Sequence, residues 1–337
     1  MSVGSMDWFE RITGFREIDY DSTRSHLSIQ DGRLVSQRSD RKWAIGELET
    51  PTLDELRERA RALIIGSGPT RLQCIAADVR KLHGYPENVG ALFQVASQFN
   101  LLEMVGPNVT PEHGVTRYQH DQTQGPACAM AAGAATIYRN YFAPVAGSTG
   151  QCDEFQIDCL CDLGRELGNK DGRLWQMRNG YALCSKEGLA QIDRHLEFID
   201  ESDRDALRGK LRIGLHWNVD VTDLEQPGHR VSQAFCSALP VAYSDLPARR
   251  WHRFASLVLE AAYEATLLAA LINRHDTGNS VVFLTRLGGG AFGNDPEWIH
   301  AAIRRAVLAV QDAALDIRLV TYGSVSPDLR RFAASFS

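Results

Sequence analysis

An apolar, β-branched run from Ser280 to Leu284 (S-V-V-F-L) leads to L-G-G-G-A-F-G-N-D, Leu287 to Asp295, and then to a helical pattern opened by Pro296. This order of strand, glycine turn and helix start restricts the chain more than any other stretch. It calls for an α/β unit and gathers backbone N–H groups where they can surround a phosphate. Gly288, Gly289 and Gly290 permit close backbone approach to such a group. Phe292 is a large ring in a turn of small residues, and a sugar or base is a natural partner for it. The alternative is a tight turn that binds nothing. No Lys-Ser/Thr pair follows, so the turn is not a P-loop. Its place near the end of the chain separates it from the dinucleotide fingerprint.

The 337 residues suffice for one large domain or two ordinary ones, and 44% hydrophobic and 23% charged residues fit a globular chain. A formal net charge of −6 argues against nucleic acid and an anionic membrane as partners. No apolar run approaches a membrane span. The start, M-S-V-G-S-M-D-W-F-E, lacks the basic and apolar segments of a secretory signal. Seven cysteines without paired C-x-x-C blocks read as reduced thiols, and a cytoplasmic location is expected. No His pair has the spacing of a metal helix, so neither metal nor cofactor is expected.

The first 50 residues are mixed and polar, and read as short strands or irregular structure packed on the rest. Thr52 and Glu55 form a capping box for a helix with Leu56, Ala60 and Leu63 inward, stopped by Gly66 to Pro69. Leu72 to Ala77 and Leu92 to Ser97 read as buried strands. Gly125 to Phe142 reads as one alanine-rich helix. Asn179-Gly180 between Leu174–Met177 and Tyr181–Cys184 is a hairpin signal. Leu211 to Val221 alternates, with Ile213, Leu215, Trp217 and Val219 on one face and His216, Asn218 and Asp220 on a half-solvated one. Val231 to Leu239 is a further strand, Phe254 to Ile272 a helical stripe, Pro296 to Gln311 a helix and Ile317 to Tyr322 a last strand. The result is an α/β three-layer sandwich, a mixed sheet between helices, over residues 51–337, with residues 1–50 as an N-terminal extension.

Two further clusters carry chemistry. Phe93 to Glu103 (F-Q-V-A-S-Q-F-N-L-L-E) sets Gln98, Asn100 and Glu103 after a buried strand, where amides suit ribose hydroxyls. Tyr118 to Pro126 (Y-Q-H-D-Q-T-Q-G-P) places Asp121 and Gln124 before a helix. Capping alone explains Asp121, but six consecutive polar side chains exceed what a cap requires. Asp78 at a strand end suits an adenine amino group or a simple turn. Glu264 lies close to the apolar stripe, where an edge position is expected ahead of a buried, paired carboxylate, and Cys236 reads as core.

The loop G-G-G-A-F-G-N-D resembles the G-C-G-A-F-G loop of the macrodomain superfamily, in its poly(ADP-ribose) glycohydrolase-like branch. The resemblance implies that Gly288, Gly289, Gly290 and Ala291 hold the diphosphate of ADP-ribose and that Phe292 packs on the distal ribose, with Asn294 in the same loop. V-A-S-Q-F-N is similar to the strand ending in Ala-Asn there, with Gln98 or Asn100 in the place of the ribose-contacting Asn. The second Gly-Gly-Gly run and the Gln-Glu-Glu motif of the glycohydrolases are missing. In their place stand N-V-T-P-E-H-G-V and Y-Q-H-D-Q-T-Q-G-P, as in noncanonical macrodomains that free modified arginine. The implied activity is hydrolysis of ADP-ribose from protein side chains, arginine-linked first, with ADP-ribose and ADP-ribosylated protein as partners. Cleavage at the anomeric carbon needs a carboxylate. Asp121 is the first choice as acid/base or guanidinium anchor, and Glu103 the second. Gln98, Asn100 and Gln124 are expected on ribose hydroxyls. A non-catalytic ADP-ribose reader and a nucleotide-sugar or nucleoside-diphosphate hydrolase are the alternatives.

Overall fold

The frame of the protein is a seven-stranded mixed sheet. The computed structural model describes residues 6–64 and 66–336; the first five residues, part of the segment read for a leader, lie outside it. In chain order the sheet and its covering helices are β1 (Glu47–Glu49), α1 (Leu53–Arg61), β2 (Arg71–Ala76), α2 (Val79–His83), β3 (Leu92–Ala96), α3 (Gln124–Ala131) and α4 (Gly133–Tyr141). They continue with β4 (Gly214–Asp220), β5 (Arg230–Cys236), α5 (His252–Thr277), β6 (Val281–Leu284), α6 (Pro296–Ala309) and β7 (Asp316–Thr321). The strand order is β1-β4-β5-β3-β6-β7-β2. From β5 to β2 neighbours run parallel, while β4 is antiparallel to both β5 and β1.

Period-2 alternation in β3 fixes the two faces. Phe93 stacks on His83 of α2 at 3.7 Å between ring centroids, whereas the neighbouring Gln94 donates to Thr266 Oγ1 of α5 at 2.9 Å. Helices α2, α3 and α4 therefore cover one face, and α1, α5 and α6 the other. With both faces covered, Leu92 to Val95 are wholly buried, as a parallel sheet requires. This is the expected three-layer α/β sandwich.

The local signals act as their chemistry dictates. The capping box at Thr52 and Glu55 is formed. The hairpin pairs Trp175–Arg178 with Tyr181–Cys184, and Asn179 and Gly180 take φ of 47° and 77°, the left-handed pair that a two-residue turn needs.

Five expectations are corrected. The alanine-rich segment is two helices, broken at Ala132 (φ −111°, ψ 54°). Thr222 takes the N–H of Gly133 and gives its own to the carbonyl of Ala131. A side chain at Gly133 would collide with Ile12 and Trp8. The face of β4 expected to be half solvated has His216 and Asp220 wholly buried. Arg139 of α4 lies against His216, and Ala44 donates to Asp220 at 2.7 Å. A bulge at Asn218 (φ 56°) interrupts the alternation. Glu264 is not at an edge: it is 8% exposed and paired with Arg57 at 2.7 Å and with Arg305. Finally, α5 is long and apolar enough to cross a membrane, with a mean hydropathy of 1.6 over its most apolar window. Of that window 83% is buried against the sheet and neighbouring helices, as in a core helix.

Residues 7–44 form two short helices and a three-stranded antiparallel sheet, and β1 then joins the main sheet. Trp8, Phe9, Leu34 and Trp43 share an apolar cluster with Leu102, Met104, Val115 and Tyr118. The first segment of the chain thus packs against the loop that follows β3.

Candidate active site

A cleft of about 450 Å³ opens at the carboxyl ends of β2, β3, β6 and β7, the usual ligand position in an open α/β sheet. Its volume lies in the range of small-molecule sites.

The glycine turn forms one wall. Tyr263 of α5 ties its base, donating to the carbonyl of Thr285 at 2.7 Å and accepting from Leu287 N–H at 2.8 Å. Gly288 has φ of 70°, and a Cβ there would lie 2.4 Å from that of Ala238, so glycine is required twice over. The N–H groups of Gly288, Gly290, Ala291 and Phe292 donate to no described residue. These unpaired donors at the cleft wall form a cradle for an anion. Phe292 is half-buried, with Tyr181 and Tyr243 at 5.3 and 5.7 Å between centroids. Asn294 belongs to the scaffold: its amide donates to Leu239 and Gly288 carbonyls at 2.8 and 3.4 Å, and it does not line the cleft.

The opposite wall comes from the loop after β3. Gln98 lines the cleft and accepts from Met104 N–H at 2.8 Å through Oε1. Asn100 is wholly buried, accepting from Leu102 N–H at 3.1 Å and donating to Gln156 at 2.8 Å. Of the three amides expected at a ribose, Gln98 and Gln124 line the cleft and Asn100 does not. Gln124 is a crossbar. Its Oε1 accepts from Ala96 N–H at 2.8 Å, and its Nε2 donates to the Gln94 carbonyl at 2.7 Å. An amide held at both ends fixes the end of β3 to the start of α3, and its polar atoms are not free for hydroxyls. Asp78 lines the cleft but caps α2, accepting from Arg80 N–H at 3.0 Å.

Both residues that carry the candidate carboxylates line the cleft. Asp121 is half-buried and accepts from Thr123 N–H at 2.8 Å. Glu103 is 3% exposed, and neither of its carboxyl oxygens has a hydrogen-bond partner. Its backbone N–H donates to Tyr118 Oη at 3.0 Å. Burial pushes the Glu103 carboxyl up to about 8, against the downward pull of Arg139. It is therefore largely protonated at neutral pH, as a proton donor needs to be.

Several residues at the site escaped the sequence reading. Arg286 is the one cation among the described residues lining the cleft, and Tyr322, 90% exposed, stands at its rim. The place of Arg286 just before the glycines was a usable signal. Arg139 lies behind Glu103, at 3.9 Å. Glu17 accepts from the N–H groups of Val115 and Thr116 at 2.8 and 2.7 Å and from Tyr141 Oη at 2.8 Å. It thereby fixes the segment that carries Tyr118. No cluster of three or more metal-ligating side chains occurs among the described residues.

No family model matches the chain, and no curated protein matches it. Among solved structures it is similar to a point mutant of poly(ADP-ribose) glycohydrolase from Deinococcus radiodurans in complex with ADP-ribose. The identity is 14%, over 86% of this chain and 91% of that one, with a TM-score of 0.44. It is similar to the poly(ADP-ribose) glycohydrolase of Thermomonospora curvata at 17% identity over 92% of each chain, with a TM-score of 0.44. It is also similar to the Thermomonospora curvata enzyme bound to the inhibitor ADP-HPD at 15% identity, over 92% of each chain, with a TM-score of 0.43.

Proposed function

We propose that the protein is a macrodomain-like ADP-ribosyl hydrolase that releases ADP-ribose from modified protein side chains, arginine-linked ones first. One observation carries the reading. A cradle of unpaired backbone donors and a buried, unpartnered carboxyl group face the same cleft. The cradle suits a diphosphate, and Arg286 adds the positive charge that a dianion favours. Phe292 offers a face to the distal ribose.

Glu103 takes the acid role ahead of Asp121, because an acid must hold its proton at working pH and burial raises the Glu103 carboxyl into that range. As the bond from the anomeric carbon to the guanidine nitrogen breaks, its electron pair stays with nitrogen and charge develops on the ribose ring. Glu103 supplies a proton to the departing guanidine, which leaves as guanidinium. The resulting carboxylate takes a proton from the water that attacks the anomeric carbon, and the acid is restored. Asp121, nearer solvent, suits a positively charged guanidinium at the mouth of the cleft.

The test is release of free ADP-ribose from arginine-modified protein, with calorimetry of ADP-ribose binding beside it. Binding without release would make the protein a reader. Turnover of free sugar nucleotides in place of modified protein would make it a nucleotide-sugar hydrolase. Neither binding nor release, with the fold intact, would end the reading.

A further inference from the structure

Arg139 is wholly buried, and its guanidinium is held without help from Glu103. Nε donates to the Leu101 carbonyl at 3.0 Å, Nη2 to Thr136 Oγ1 at 3.0 Å and Nη1 lies 3.3 Å from His216 Nδ1. The plane rests on Phe235, 3.8 Å from its ring centre. Glu103 Oε2 is 3.9 Å from Nη2, outside hydrogen-bonding distance, and both carboxyl oxygens stay unpartnered. A buried carboxyl beside a buried arginine ordinarily takes a two-pronged hydrogen bond. Here the arginine is anchored elsewhere, so its charge acts through space while the carboxyl stays free for a ligand.

We propose that Arg139 is a positioning residue of this site, a fixed cation that sets the protonation of Glu103 without binding it. The inference rests on reading Glu103 as the proton-transferring group. Burial alone drives a carboxyl towards permanent neutrality, in which it could donate a proton but not hold the negative charge left behind. A cation at this distance lowers the cost of the carboxylate and lets the group cycle. The other groups around the carboxyl are Tyr118 from the segment before Asp121, Asp121 itself and Cys128 of α3. Burial holds both Tyr118 and Cys128 well above their ordinary values, so they are neutral. Asp121 opposes the carboxylate. Behind Arg139, His216 of β4 is held well below its ordinary value by burial and by Arg139, so it is a neutral acceptor. Among the described residues Arg139 is thus the one nearby charge that favours the ionised form, with the Tyr118 hydroxyl adding a smaller pull in the same direction.

The experiment follows the Glu103 side-chain carboxyl by carbon NMR in a pH titration, assigned by its loss in Glu103→Gln. Arg139→Met removes the charge and keeps much of the bulk; the expected result is a titration midpoint higher by about 1 to 3 pH units. Arg139→Lys restores a cation and brings the midpoint back most of the way. Arg139→Gln, neutral but able to donate to the Leu101 carbonyl, reads the same upward shift if the methionine variant fails to fold. An unmoved midpoint in either folded neutral variant overturns the proposal, and a purely structural Arg139 predicts that result. The readout needs no turnover. A wild type that hydrolyses nothing would end the proposed activity and leave this measurement standing, whereas an active enzyme with an unmoved midpoint would end this inference alone.

Discussion

Glu103 and Arg139 lie side by side in the interior, Oε2 of one 3.9 Å from Nη2 of the other, and no hydrogen bond joins them. The charge is supplied and the carboxyl oxygens, buried in the wall of the cleft, are left without hydrogen-bond partners. That relationship separates a buried structural ion pair, closed by its own hydrogen bonds, from a group placed to exchange a proton with a ligand.

Activity should follow the protonated form of Glu103. Its carboxyl is pushed up to about 8, so turnover should hold below that pH and fall about tenfold per pH unit above it. Initial rates from pH 5 to 10 check this. A limb falling on the acid side of pH 6, with none near 8, would give the role to an ionised carboxylate.

Stability should carry the same signature. Folding raises the carboxyl from its ordinary 4.5 to about 8, so between those values the unfolded chain ionises this group and the folded chain does not. The contribution of Glu103 is present below about 4.5 and is lost as pH rises towards 8. Thermal unfolding of Glu103→Gln against wild type should move in favour of the variant between pH 5 and 8. A constant difference across that range would contradict the placement.

Gly290→Ala separates ligand from scaffold in the glycine turn. A Cβ at Gly290 meets nothing within 4 Å, and its φ is not in the left-handed region. Stability should change by less than about 1 kcal/mol, while ADP-ribose binding measured by calorimetry should weaken, because the methyl group intrudes where the diphosphate meets the backbone. Undiminished affinity would place the diphosphate elsewhere.

Gln124→Ala should cost about 1 to 3 kcal/mol of unfolding free energy in denaturant titration, since it strips partners from the Ala96 N–H and the Gln94 carbonyl. A stability loss below about 0.5 kcal/mol would contradict the crossbar.

The difference between expectation and structure at Gln124 shows what the chain makes legible. Signals confined to a few residues act as written: the capping box of Thr52 and Glu55, the left-handed pair Asn179 and Gly180, and the strand, turn and helix around Gly288. An amide side chain names no partner. Gln98 and Gln124 both line the cleft, yet the amide of Gln124, like that of the buried Asn100, is held by the scaffold, and partners such as Gln156 and Ala96 lie far along the chain. Arg139 was invisible for the same reason, since its meaning comes from Glu103, His216 and Phe235. Polar, weakly periodic stretches also hid structure. The helices Lys186–Phe198, Glu201–Gly209 and Pro327–Ala334 were not read, although Ser185, Asp200 and Ser326 cap them.

Asp121→Asn tests the preference for arginine. It should reduce turnover of arginine-linked ADP-ribose by about 1.5 to 3 kcal/mol in kcat/KM, the range for a hydrogen bond to a charged group, and leave the affinity for free ADP-ribose unchanged. Equal turnover would remove Asp121 from the site.

The central claim is that a buried, protonated Glu103 cleaves what the glycine turn holds. Its most direct test is ADP-ribose release from arginine-modified protein by wild type and Glu103→Gln, with ADP-ribose affinity measured on both. The account predicts release by wild type, a loss of about 10² to 10⁴ in the variant, and affinities within a few-fold of each other. Undiminished release by Glu103→Gln would contradict it.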